Sequence, residues 1–200
     1  NDYRLGWGTS GFYASTDNGQ HWYDGITPFP SLPSGDNLDG GGDPVTAFDR
    51  AGVVYYAQIN FNRTDDTSGV WVNRSTNGGF TWTRPCVAIQ VTAPPDEQSR
   101  CGGAGDPRQP GDGTVAFQQD NDSVLNGSVP GYDKEWIACD NSSASAFYGT
   151  CYVAYSDFVA NQLTVQVSRD GGATWSVPIA ASRDTGSDVS GAIPVVQQNG

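Results

Sequence analysis

The side chains of this 200-residue chain that could bind or transform a ligand are mainly carboxylates and guanidinium groups. The chain has 20 Asp, two Glu, nine Arg, a single Lys (Lys134) and a single His (His21). Arg and Asp side chains that converge in a concave site supply the hydrogen-bond donors and acceptors that orient a polar ligand. His21 is the only His in the sequence, and it lies in a repeated turn motif described below, at a position where the other two copies have a different residue. A Ser-His-Asp triad therefore cannot be assembled.

Clustered carboxylates also raise the question of bound Ca²⁺, which prefers carboxylate and loop carbonyl oxygens. The candidate ligand pairs are Asp65-Asp66 and Asp120-Asn-Asp122, but the chain has no Asp-x-Asp-x-Asp-Gly loop. Solvated loop carboxylates are the simpler interpretation. We therefore expect no cofactor and no metal, with structural Ca²⁺ as the open alternative.

The overall composition limits which fold classes and which kinds of binding partner are expected. With 26 Gly, 12 Pro and only 16% charged residues, the chain suits short strands joined by turns rather than helices. A formal net charge of −12 argues against binding to nucleic acid or to an anionic membrane surface, because both require basic side chains. The sequence contains no run of 18 apolar residues, so membrane insertion is not expected.

The cysteines and the glycosylation sequons indicate a compartment outside the cytoplasm. The four Cys contain no close Cys-x-x-Cys pair, which favours disulfides over a zinc site. Five Asn-x-Ser/Thr sequons begin at Asn62, Asn73, Asn121, Asn126 and Asn141. We expect a secreted or cell-surface protein.

One octapeptide occurs three times, at 15–22, 75–82 and 168–175. Its shared positions are Ser15, Asp17, Gly19 and Trp22 in the first copy, Ser75, Asn77, Gly79 and Trp82 in the second, and Ser168, Asp170, Gly172 and Trp175 in the third. Alternating apolar residues precede the second and third copies, which predicts a strand that runs into a hairpin turn. In such a turn the Asp or Asn accepts hydrogen bonds from amides, the Gly allows a positive φ, and the Trp shields the turn.

Two longer units surround the second and third copies, each with the order strand A, strand B, strand C, turn, strand D. The apolar runs of strands A and B are continuous, which is typical of strands covered on both faces. Four antiparallel strands in a repeated unit form a β-propeller blade, so we predict an all-β fold. The predicted parts are a partial blade at 1–29, a complete blade at 43–91, a long loop at 92–132, a complete blade at 133–181 and the start of another at 191–200.

The pattern Ser-x-Asp-x-Gly-x-Thr-Trp between strands C and D resembles the Asp-box, or bacterial neuraminidase repeat, and the chain resembles part of a sialidase-like β-propeller. Propellers have roughly four to eight blades, so two complete and two partial blades are expected to be a fragment of a longer ring. The resemblance implies a glycan or glycoconjugate partner, bound either by an exo-glycosidase with sialidase-like hydrolysis or by a carbohydrate-binding module. The alternative is a non-catalytic propeller scaffold for protein interaction or surface adhesion.

In the sialidase-like family the Asp-box lies on the face opposite the ligand, so a structural role is expected for all three copies. Ligand contact is expected on the other rim, where strand A begins and where the B–C and D–A loops lie. The candidate residues on this rim are Asp43, Arg63, Arg108, Asp133, Lys134 and Asp157. Simpler interpretations are a strand-entry cap for Asp43 and Asp133, and a solvated or inter-blade ion pair for Lys134 and Glu135.

The catalytic residues of the family are not found as a complete set. Its mechanism uses an Arg cluster that holds the substrate carboxylate, an Asp acid/base, and a Tyr activated by a Glu. The Phe/Tyr-Arg-Ile-Pro segment that supplies one Arg is missing, and the only Glu residues are Glu97 and Glu135. We assign no catalytic residue.

The predicted blades also suggest how the cysteines pair. Strands A and B are antiparallel neighbours, so Cys139 and Cys151 can approach closely enough for a disulfide. Cys86 begins an outer strand, far from the inner strand that carries Cys139. Its predicted partner is Cys101 in the long loop.

Overall fold

A computed structural model describes residues 10–28, 40–61, 68–83, 118–119, 132–158, 160–172, 175–182 and 190–199. In these ranges the chain forms ten β-strands in three antiparallel sheets. The same ranges contain no helix of the length and hydrophobicity that a bilayer span requires. The predicted all-β fold with antiparallel sheets is confirmed.

The first sheet has two strands, β1 (Gly11–Ala14) and β2 (Tyr23–Ile26), which are joined by the first copy of the repeated turn. Residues 1–9 and 29, which the sequence analysis assigned to the same partial blade, lie outside the described residues.

The second sheet, called here the N-terminal four-stranded sheet, has the order β3-β4-β5-β6. Its strands are β3 (Gly40–Phe48), β4 (Val54–Phe61), β5 (Ser68–Ser75) and β6 (Gln118–Gln119). The third, the C-terminal four-stranded sheet, has the order β7-β8-β9-β10. Its strands are β7 (Tyr132–Cys139), β8 (Cys151–Asp157), β9 (Gln162–Ser168) and β10 (Ile179–Ala180). The C-terminal four-stranded sheet has the predicted order of strands A to D, and in the N-terminal four-stranded sheet β3, β4 and β5 have the order predicted for strands A to C.

The fourth strand of the N-terminal four-stranded sheet differs from the prediction. Gln118–Gln119 pairs with Ser68 and Gly69 at the start of β5, although these residues were assigned to the long loop at 92–132. At the other end of β5, the Thr83 amide donates to the Arg74 carbonyl at 2.8 Å. The predicted fourth strand beyond Thr83 lies outside the described residues. The backbone groups at the edge of β5 therefore form hydrogen bonds with a segment that is distant in sequence. Local hydrophobic periodicity does not indicate such a pairing.

The predicted start of a further blade also differs. Residues 190–199 form no strand in the described structure. The Gly191 amide instead donates to Ser156 Oγ at 3.1 Å, beside β8. A strand needs a neighbouring strand, and in the described ranges no strand pairs with this segment.

The hydrophobic core lies between the two four-stranded sheets, where β4 and β5 face β7 and β8. It contains Tyr55, Ala57, Ile59, Val70 and Val72 from one sheet and Tyr132, Ile137, Cys151, Val153 and Tyr155 from the other. Tyr132 and Tyr155 pack edge to face with ring centroids 5.6 Å apart. Strand β4 is buried along nearly its whole length, because Tyr55 faces this core while Tyr56 donates from its hydroxyl to the Gly11 carbonyl at 2.9 Å on the other side. The continuous apolar run of strand B has the two-sided burial that it predicted.

The second and third repeated turns each contact the sheet that precedes them. The third turn accepts a hydrogen bond at the Gly171 carbonyl from Arg74 Nη1 of β5, at 2.6 Å. The second turn accepts one at the Gly78 carbonyl from the Tyr23 hydroxyl of β2, at 3.2 Å, and Tyr23 stacks on Phe80 at 4.0 Å. The turn therefore joins successive sheets as well as closing a hairpin.

Cys139 and Cys151 form the predicted disulfide, with a Cα–Cα distance of 4.0 Å. They are register partners in β7 and β8, which explains their proximity. Cys86 and Cys101 lie outside the described residues.

Candidate functional site

The first strand of each four-stranded sheet contains a β-bulge. In β3 the register shifts between Gly42 and Val45, and in β7 it shifts between Asp133 and Trp136. The bulged residues Asp43 and Lys134 have φ of 49° and 54°, in the left-handed region. Such bulges insert one extra residue and redirect the side chains that follow.

The bulges bring one cation between two carboxylates that are distant in sequence. Lys134 Nζ lies 2.7 Å from Asp43 Oδ2 in the other sheet and 3.3 Å from Asp133 Oδ2. The hydrogen bond to Asp43 is the main cause that raises the pKa of Lys134. Asp133 Oδ1 also accepts a 2.7 Å hydrogen bond from the Lys134 amide, which holds the bulge in place. The predicted residues Asp43, Asp133 and Lys134 thus meet at one point, and Lys134 forms an ion pair between the sheets.

Glu135, the next residue in β7, is 2% exposed. Neither of its carboxylate oxygens has a hydrogen-bond partner among the described residues. Burial is the main cause that raises the pKa of Glu135 to about 8, and the charges of Asp43 and Asp133 act in the same direction. Burial therefore favours the protonated form of Glu135. It is neither solvated nor part of the Lys134 ion pair, in contrast to the simpler interpretation drawn from the sequence.

Asp43, Lys134 and Glu135, but not Asp133, line a cavity of about 350 Å³ between the first strands of the two sheets and residues 191–193. Asp43 and Pro44 lie on one side, Lys134, Glu135 and Trp136 on another, and Ile193 on the third. Trp136 is 42% exposed although it stands between two buried residues of β7. The cavity therefore combines a partly exposed indole ring with charged and polar groups.

Trp136 is a site residue that the sequence analysis missed. In an apolar run of the form Trp-Ile-Ala, a Trp is expected to face the core. The bulge at Lys134 changes the side of the sheet on which the following residues lie, and this shift leaves no sign in the hydrophobic pattern. The positive φ of Lys134 appears only in the folded backbone.

The other predicted rim residues are not part of this cluster in the described structure. Asp157 is the register partner of Tyr132 and so lies at the same end of the C-terminal four-stranded sheet as Asp133. Its Oδ1 accepts a 2.8 Å hydrogen bond from the Ala160 amide in the turn that leads to β9. Arg63 and Arg108 lie outside the described residues.

The repeated turns lie at the opposite end of the sheets from the cluster. Ser75, where the second turn begins, pairs with Val54, and Val54 pairs with Phe48 at the far end of β3 from Asp43. In the other sheet Ser168 pairs with Cys151, whereas Asp133 lies near the start of β7.

Within each turn the shared residues form the same hydrogen bonds. The glycine amide donates to the serine hydroxyl at 2.8 Å in all three copies. The serine hydroxyl donates to the Asp or Asn at 2.8–2.9 Å. In the first copy, hydrogen bonds from His21 are the main cause that lowers the pKa of Asp17 to about 2. His21 is thereby engaged in turn structure, which is the role expected for a substituted turn residue.

Metal binding has no geometric support in the described ranges. No three His, Cys, Asp or Glu side chains there come together in an arrangement that could hold a metal ion. The pairs Asp65-Asp66 and Asp120-Asn-Asp122 lie outside the described residues.

No protein-family model matches this chain, and no curated protein matches it. Among solved structures it is similar to the GH93 alpha-L-arabinofuranosidase of Fusarium graminearum, with 14% identity over 87% of this chain and 41% of that one and a TM-score of 0.46. It is also similar to a Hadza microbial sialidase, with 17% identity, 82% and 39% coverage and a TM-score of 0.31. A third structure is the intramolecular trans-sialidase from Ruminococcus gnavus, with 10% identity, 86% and 64% coverage and a TM-score of 0.27. The chain spans less than two thirds of the length of each.

Proposed function

We propose that this chain is part of an extracytoplasmic, sialidase-like β-propeller of the Asp-box type that binds glycans in the cavity beside Trp136. The observation that carries the proposal is the combination of a partly exposed indole with Asp43 and Lys134 around one concavity, where Lys134 also pairs with Asp133. The Cys139–Cys151 disulfide supports an oxidising compartment, because such bonds persist mainly outside the cytoplasm.

The chemistry of the cavity fits a sugar. The indole face of Trp136 can pack against the C–H face of a pyranose or furanose ring, while carboxylates accept hydrogen bonds from sugar hydroxyls. Lys134 has three N–H donors, of which two point to Asp43 and Asp133. The volume of about 350 Å³ lies at the lower end of the roughly 300–1,000 Å³ typical of ligand sites, which suits a terminal sugar residue.

The geometry supports binding better than hydrolysis. Most glycosidases use two carboxyl groups, one of them a proton donor with a raised pKa, whereas sialidases use a Tyr nucleophile. Glu135 has such a pKa, but at 2% exposure its carboxyl group offers almost no surface to a bound sugar. An exo-glycosidase activity of the sialidase type would need groups from outside the described residues.

The test is glycan-array binding by the full chain, followed by calorimetric titration of Trp136→Ala. We expect this change to weaken binding at least about tenfold, because a partly exposed aromatic group at the centre of a site carries much of the binding energy. The matched control is Phe147→Ala, since Phe147 is 52% exposed but lies in the turn after β7, at the other end of the sheet. Equal binding by the Trp136→Ala variant and the original chain would reject the proposed site.

The second candidate function is a non-catalytic scaffold for protein interaction or surface adhesion. It is favoured by a wide cleft of about 570 Å³ between the two-stranded sheet and β3, which is lined by exposed Tyr13, Trp22 and Phe48. A scaffold would bind no glycan on the array, and binding to its protein partner would depend on these three residues rather than on Trp136. The two functions are therefore distinguished by which aromatic side chain controls binding.

A further inference from the structure

We infer that the cavity beside Trp136 selects uncharged sugars and rejects sugars that carry a carboxylate. The inference rests on the proposed function and concerns the same site. It differs from what the resemblance to sialidases implies, because sialic acid carries a carboxylate.

The first argument is the charge balance of Lys134 and its two partners. Asp43 and Asp133 share this cation at 2.7 and 3.3 Å; Asp43 and Lys134 line the cavity, whereas Asp133 is not among its lining residues. The three groups together carry a net negative charge before any ligand enters. A ligand carboxylate would approach these like charges, and Lys134, the cation among the described lining residues, is already paired.

The arginines of the described residues are engaged elsewhere. The guanidinium of Arg50 lies 3.9 Å from the centre of the Tyr148 ring, and Arg74 donates to the Gly171 carbonyl. Arg169 belongs to the third repeated turn, at the opposite end of the sheets. In the described part of the rim, no guanidinium group is placed to form the bidentate contact by which proteins hold carboxylates.

Glu135 provides a second observation at the same cavity. It lines the same cavity, it is 2% exposed, and both of its oxygens lack a partner among the described residues. Burial is the first cause of its raised pKa, and the charges of Asp43 and Asp133 add to the effect. The site thus already disfavours a negative charge at Glu135, and a ligand carboxylate in the same space would encounter the same two charges.

An uncharged sugar is not repelled by these carboxylates. Its hydroxyl groups can donate to the carboxylate of Asp43, and its oxygens can accept from the remaining N–H of Lys134. Its apolar face packs on Trp136. The cavity is therefore complementary to a hydroxyl-rich neutral ring.

The experiment uses the full chain and pairs of oligosaccharides that are identical except for a terminal sialic or uronic acid. Calorimetric titration is expected to show binding of the neutral member, with the acidic member bound at least about tenfold more weakly. Asp43→Asn removes one anionic partner of Lys134, and its combination with Asp133→Asn removes both. These variants are expected to lower or invert the ratio of neutral to acidic affinity measured within each variant, and Asn tolerates the left-handed backbone at position 43.

The charge-matched control is Asp24→Asn, since Asp24 is exposed on β2 and is not among the residues that line the cavity. It is expected to leave the preference unchanged, and thermal melting of every variant verifies folding. Equal or tighter binding of the acidic members by the original chain, still lost in Trp136→Ala, would overturn the selectivity and keep the proposed function. An unchanged preference in the folded Asp43→Asn, Asp133→Asn variant would also overturn it. Binding of neither member would reject the proposed function and the selectivity together.

Discussion

Replacing Gly172 by Ala tests whether the repeated turns join successive sheets. Gly172 has φ of +76°, and a Cβ built there would lie 2.7 Å from Tyr55 Cε1 and 3.1 Å from Arg74 Cδ. Neither neighbour is free to move away. The Tyr55 ring is fully buried, with its hydroxyl donating to Asp49 Oδ2 at 2.8 Å, and Arg74 is held by its hydrogen bond to the turn.

The expected loss of stability has two parts. A side chain in the left-handed region costs about 1–2 kcal/mol, and forcing a methyl group against a packed ring costs about 1–3 kcal/mol more. We therefore expect Gly172→Ala to lower the free energy of unfolding by about 2–5 kcal/mol. At about 2–4 °C per kcal/mol for a chain of this size, the melting temperature should fall by roughly 4–20 °C.

Gly149→Ala is the matched control. Gly149 has a similar φ of +85°, but a Cβ there would meet no atom within 4 Å. Only the backbone cost of about 1–2 kcal/mol applies to it. Urea denaturation of both variants measures the difference. If the two losses agree within about 0.5 kcal/mol, the contact between the turn and the preceding sheet adds nothing, and the reasoning is refuted.

Three further changes probe the turn, the disulfide and the buried carboxyl group. Asp170→Ala removes the acceptor of the Ser168 hydroxyl and should cost about 1–3 kcal/mol by denaturation; glycan binding should not change, and a loss of binding with stability retained would contradict the structural role. Replacing Cys139 and Cys151 together by Ala should cost about 2–5 kcal/mol, and an unaltered denaturation midpoint would show that the bridge is not formed in solution. The raised pKa of Glu135, about 8 against 4.5, means that the unfolded chain loses this proton first, so the contribution of Glu135 to stability falls as pH rises from about 4.5 to 8. Glu135→Gln should remove that fall, and a pH profile equal to that of the original chain would contradict the burial of the carboxyl group.

The sequence alone was sufficient to predict those structural features that depend on residues close together in the chain. A hairpin turn depends on residues within eight positions, so the position of Asn77 predicted that its side chain accepts a hydrogen bond from a turn amide, and Asn77 Oδ1 accepts one from the Thr81 amide at 3.0 Å. The alternating or continuous apolar runs predicted the strands, and the two-sided burial predicted for strands A and B is found in β4 but not in β3, which is partly exposed. The pairing of Cys139 with Cys151 followed from two strands that are neighbours in the chain.

Tertiary structure decided the features that depend on pairing between distant segments. The ladder that joins Gln118–Gln119 to β5 spans a long stretch of sequence, and loop closure over that distance has no local signature. The bulges at Asp43 and Lys134 determine which side chains face the cavity, because one added residue reverses every later side chain in a strand. Sequence therefore identified Asp43, Asp133 and Lys134 as candidates, whereas the exposure of Trp136 and the burial of Glu135 follow only from how two sheets meet.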